Sequence, residues 1–66
     1  MQICLNGEAT EVAKCLTLQQ LIDQMQLAGQ RIAVELNGEI VPRSRWATVE
    51  IQDGDRAEVV RAIGGG

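Results

Sequence analysis

The apolar residues of this chain change their spacing twice, a pattern that neither an all-helical nor an all-strand fold can use. Met1, Ile3 and Leu5 alternate with Gln2 and Cys4, the period of a strand with one buried face. Leu18, Leu21, Ile22 and Met25 then recur at the spacing of one helical face. Alternation returns at Ile32, Val34 and Leu36, and again at Ala57 and Val59. A chain of 66 residues has room for a single core, so these faces must close on one another.

Turn chemistry divides the pattern into elements. Asn6-Gly7 tolerates positive φ and predicts a two-residue hairpin between Met1–Leu5 and a second strand, Ala9–Ala13. That loop length sets Ile3 opposite Thr10 and Met1 opposite Val12, and Cys4 then faces Ala9 rather than Cys15. Thr17 and Gln20 have the spacing of a capping box, with Leu16 placed to pack on Leu21 as a hydrophobic staple. The spacing predicts a helix of about three turns, with Gly29 ending the helix or the short coil after it. Ile32–Leu36 reads as a third strand, Asn37-Gly38 as a second hairpin turn and Ile40-Val41 as a short return strand. Pro42 stops pairing because it has no N–H to donate. Pro42–Trp46 is expected to form a single turn with Trp46 over the core edge, and Thr48–Ile51 another short strand. Asp53-Gly54-Asp55 is a turn, and Arg56–Ile63 a final strand that runs into the glycines.

One helix on one face of a mixed sheet is an α+β arrangement. With the first and last strands adjacent in the centre, this order of elements matches the β-grasp, the ubiquitin-like fold. Residues 1–63 are expected to form a single domain and residues 64–66 a flexible glycine tail.

Composition removes several classes of function. Nine acidic residues against six basic ones give a formal charge of −3, which is wrong for a nucleic-acid surface. The single aromatic, Trp46, offers no platform for stacked bases. No apolar run reaches membrane-spanning length. The first residues lack the basic-then-apolar layout of a signal peptide, so a cytoplasmic location is expected, and with it reduced cysteines. Cys4 and Cys15 are not spaced as a CxxC pair or a zinc site. The chain has no histidine, which removes the usual general base and the commonest nitrogen ligand for a metal. Ser44 therefore has no partner to activate it. Asp53 and Asp55 are too few to ligate calcium and fit turn chemistry better. Arg43 and Arg45 are candidates for an anion or a partner surface, but such residues are more often simply solvated. No metal, no bound cofactor and no enzymatic activity of its own are expected.

The last three residues, Gly64-Gly65-Gly66, point to a different role. A stretch without Cβ atoms is thin enough to enter a narrow cleft in another protein, and no side chain crowds a reagent at the Gly66 carbonyl. The tail is read as a substrate for other enzymes, with the Gly66 carboxylate as the reacting group. The competing reading is a linker-like terminus. If Ala57 and Val59 face the helix, Val60 and Ala62 face outward near Cys4. With Ile63 they are the candidate docking residues, although single exposed apolar strand residues are also common. Glu58 and Arg61 either tune docking by charge or are solvated.

Three stretches together resemble the thiamine-biosynthesis sulfur carrier family (ThiS). They are Asn37-Gly38-Glu39-Ile40-Val41-Pro42-Arg43-Ser44-Arg45-Trp46, then Asp53-Gly54-Asp55, then the terminal glycines, and the resemblance extends over essentially the whole chain. It implies a carrier cycle. An E1-like activating enzyme uses ATP and Mg²⁺ to adenylate the Gly66 carboxylate. Sulfur from a persulfide generated by a cysteine desulfurase displaces AMP and leaves a thiocarboxylate. Thiazole synthase then takes the sulfur for the thiazole ring. In this cycle Gly64 and Gly65 thread into the partner, and Cys4 and Cys15 lie outside the family pattern. One alternative is the small subunit of molybdopterin synthase, which shares the tail chemistry but is longer and lacks the Asn37–Trp46 stretch. Others are a protein modifier joined through Gly66, in a chain with one lysine, Lys14, and a passive interaction module.

Overall fold

Asn6 and Gly7 take positive φ values of 50° and 84°. They close a two-residue turn between strand β1, Gln2–Leu5, and strand β2, Glu8–Glu11. The register sets Ile3 opposite Thr10 and Cys4 opposite Ala9, as the turn length requires. Val12 N–H donates to the Met1 carbonyl at 2.8 Å and continues the ladder by one rung. The computed structural model describes residues 1–61.

Helix α1, Leu18–Gln24, begins at the expected capping box. Thr17 Oγ1 accepts from Gln20 N–H at 3.1 Å, and Gln20 Oε1 accepts from Thr17 N–H at 2.9 Å. A helix leaves its first amide donors without partners inside the helix. Here Leu18 N–H donates to the Val49 carbonyl and Gln19 N–H to the Trp46 carbonyl, both at 3.0 Å. Leu16 and Leu21 are both buried, as the staple predicts. The helix is shorter than its apolar spacing suggests. It ends at Met25, with Gln26 in the left-handed region at φ 61°. Gln26 N–H donates to Asp23 O at 3.0 Å, and Leu27 N–H donates to Ile22 O at 3.1 Å. These paired bonds form a Schellman stop, and Leu27 packs against the core beside it. Gly29, at φ 84°, serves the coil that follows.

Strand β3, Ile32–Leu36, turns at Asn37-Gly38 into strand β4, Glu39–Ile40. Val41 N–H adds a bond to the Val34 carbonyl at 2.9 Å before Pro42 ends the pairing. A 3-10 turn over Arg43–Arg45 folds the chain back. That reversal takes Trp46 into the core, where it is 2% exposed, rather than over its edge. Its Nε1–H donates to the Val41 carbonyl at 2.9 Å, so the indole is buried without an orphaned donor. Thr48–Ile51 does not form the expected strand. It makes a single bridge, Thr17 to Glu50, and Ile51 N–H donates to Leu16 O at 2.8 Å. The backbone groups of this segment are taken by the entrance of α1, which leaves it no place in the sheet.

The last strand, β5, Arg56–Arg61, lies at the centre of a five-stranded sheet ordered β2-β1-β5-β3-β4. It runs parallel to β1 and antiparallel to β3, which makes the sheet mixed. The inner face packs Ile3, Val34 and Val59 against Leu18, Leu21 and Ile22 of the helix, with Trp46 and Ile51 closing the core. This is the α+β arrangement expected from the spacing of apolar residues.

Candidate functional site

The root of the tail is held from both sides. On one side β3 pairs with β5 as far as Ile32 opposite Arg61. On the other, β1 ends after Asn6 N–H donates to the Ala57 carbonyl at 2.9 Å. Beyond that point the Asn6 side chain replaces the missing backbone. Its Oδ1 accepts from Val59 N–H at 2.8 Å and its Nδ2 donates to Val59 O at 3.2 Å. One amide thus satisfies both backbone polar groups of Val59, which would otherwise face an empty sheet position. The strand that leads to the glycines is fixed in position to within two residues of its described end.

Ala57 and Val59 point inward and are buried, so their neighbours point outward, as expected. Val60 is 57% exposed and lies opposite Ala33 on the outer sheet face. Glu58 is exposed on that face opposite Glu35. Ile40, 66% exposed, lies opposite Glu35 from the other side. Among the described residues, Ile40 and Val60 are the exposed large apolar side chains, and both belong to this face. Arg61 is exposed at the end of β5. Ala62, Ile63, Gly64, Gly65 and Gly66 lie outside the described residues.

Other candidates resolve into structural roles. Asp53 Oδ1 accepts from Gln2 N–H at 2.9 Å. Asp55 accepts from Gln52 N–H at 2.8 Å and from Asn37 Nδ2 at 3.0 Å. Both carboxylates are thus engaged in shaping turns. Arg43 lies 4.8 Å from the centre of the Trp46 ring and donates to Gln30 O at 2.7 Å, which ties the 3-10 turn to the coil after α1. Cys4 is half-buried on the outer face, Cys15 is exposed, and both thiols are free. Among the described residues, no group of three or more His, Cys, Asp or Glu is placed to hold a metal ion. No described helix is long and apolar enough to cross a membrane.

Two hollows remain. A small one of about 160 Å³ on the outer face is lined by Glu35, Gly38, Arg56 and Glu58. A wider one of about 530 Å³ includes Met1, Lys14, Cys15 and Asp53, at the end of the sheet where β1 and β5 begin. The described residues thus present an open face beside the tail root. The sequence profile of the ThiS family matches residues 3–66, nearly the full chain and through its glycines.

The chain belongs to the ThiS family. It is 36% identical to the sulfur carrier protein ThiS of Escherichia coli, over 66 residues and all of both chains. The crystal structure of the thiamine biosynthesis protein ThiS from Geobacter metallireducens superposes with a TM-score of 0.87, at 32% identity and full coverage of both chains. That likeness confirms the β-grasp, ubiquitin-like fold. The chain is also 39% identical over 66 residues to a thiazole synthase of Paramagnetospirillum magneticum, where it spans only 20% of that longer protein. Asn6, Glu35 and Ile40 were not marked as site residues by the sequence. Ile40 was within reach, because a two-residue Asn37-Gly38 turn puts it opposite Glu35 and hence on the outer face.

Proposed function

We propose that this chain carries sulfur for thiazole formation in thiamine biosynthesis, on the carboxylate of Gly66. The observation that carries this reading is the end-to-end match to the Escherichia coli sulfur carrier protein ThiS. A carboxylate resists nucleophiles until one oxygen becomes a leaving group. Attack of the Gly66 carboxylate on the α-phosphorus of ATP, on an E1-like activating enzyme with Mg²⁺, releases pyrophosphate and leaves an acyl adenylate. A persulfide sulfur supplied through a cysteine desulfurase attacks the carbonyl, and AMP departs. A second thiol then splits the resulting acyl disulfide, forms its own disulfide and leaves the thiocarboxylate. This group gives its sulfur to thiazole synthase.

In this reading the chain is a protein substrate rather than an enzyme, and it works in the cytoplasm beside ATP and thiol donors. Gly64 and Gly65 thread into the partner clefts, where a Cβ would obstruct passage. Val60 contributes to the docking surface, with Ala62 and Ile63 beyond it. The clamp of Asn6 on Val59 supports this reading, because a tail delivered from a fixed strand loses less freedom on docking. The test is genetic. A strain deleted for this chain is expected to need added thiazole for growth and to keep its molybdenum cofactor. Loss of the molybdenum cofactor without a thiazole requirement would contradict the assignment.

A further inference from the structure

The register of β3 and β5 sets two carboxylates against each other on the outer face, Glu35 opposite Glu58. Opposed like charges on one sheet face destabilise the pair. Among the described residues neither glutamate forms an ion pair. Arg56 lines the same hollow of about 160 Å³, yet it makes no ion pair with either. Around this acidic centre lie Val60, opposite Ala33, and Ile40, opposite Glu35. A cationic head entering between two carboxylates, with apolar contact on either side, would relieve the repulsion and cover the exposed side chains.

We propose that Glu35 and Glu58 form a socket for an arginine or lysine of thiazole synthase, rimmed by Val60, Ala33 and Ile40. The proposal rests on the sulfur-carrier reading. The occupant is inferred from the relatives, since a stretch like this chain forms 20% of longer proteins named thiazole synthase. Complementary charge on this face would steer the encounter with thiazole synthase and fix its register.

The test measures binding of the full chain to the thiazole synthase of the same organism by titration calorimetry at low and moderate salt. Glu35→Gln with Glu58→Gln is the informative variant, because removing the repulsion leaves the fold no less stable. It is expected to bind at least about tenfold more weakly and with a flatter salt dependence, at an unchanged or raised melting temperature. Charge reversal of the basic residue on the partner, combined with Glu58→Lys, is expected to restore binding. Unchanged affinity of the double glutamine variant overturns the proposal. So does weakened binding to the activating enzyme alone. A chain that accepts sulfur but does not bind thiazole synthase overturns the socket and leaves the carrier reading standing. A chain that never accepts sulfur overturns the carrier reading itself.

Discussion

Asn6 sits in the turn at φ 50° and also pairs with both polar groups of Val59 through its side chain. Asn6→Ala loses both bonds and leaves the Val59 N–H and C=O without those partners, which is expected to destabilise the chain by about 1–3 kcal/mol in urea unfolding. Asn6→Asp keeps the acceptor for Val59 N–H and the tolerance for positive φ, but sets a carboxylate oxygen against the Val59 carbonyl, so it should not restore full stability. Trp46 combines volume and a hydrogen bond. Trp46→Ala is expected to destabilise by about 3–5 kcal/mol, a large share of the stability of a small domain. Trp46→Phe, which removes the Nε1 donor from Val41 O together with part of the buried ring volume, should cost less than Trp46→Ala but at least about 1–3 kcal/mol in the same measurement.

The stop of α1 has one unfavourable feature, a glutamine at φ 61° where glycine is usual. An L residue in that region is strained by about 1–2 kcal/mol, partly offset by the greater unfolded-state freedom of glycine. Gln26→Gly is therefore expected to raise stability by about 0.5–1 kcal/mol, seen as a higher urea midpoint with unchanged slope. The hairpins and the helix entrance were legible because Asn6-Gly7, Asn37-Gly38 and Thr17 with Gln20 act over a few residues. The helix is shorter than the three turns its spacing suggests because the chain stops at Gln26, while Gly29 serves the coil that follows, one of the two roles its position allows. Thr48–Ile51 was misread for a different reason. Its composition suits a strand, but its hydrogen bonds go to Leu16 and Leu18, a pairing that no local pattern encodes. The outward face of Val60 followed from simple alternation along β5. The clamp on Val59 and the meeting of Glu35 with Glu58 did not, because both depend on the register between strands distant in sequence.

At the scale of the molecule, β5 is the central strand, and its described end lies at the opposite end of the sheet from the wider hollow. The core from Ile3 to Val59 closes around α1 with residues that all precede the terminal glycines. Deleting Gly66, or extending the chain by one residue, should therefore leave the melting temperature essentially unchanged and abolish sulfur acceptance. The decisive measurement is the intact mass of the chain after incubation with its activating enzyme, ATP, Mg²⁺, a cysteine desulfurase and cysteine. The account expects one oxygen exchanged for sulfur, localised by fragmentation to Gly66, and no exchange in the chain extended past Gly66. Exchange in an extended, untrimmed chain, or sulfur localised to Cys4 or Cys15 instead, would contradict it.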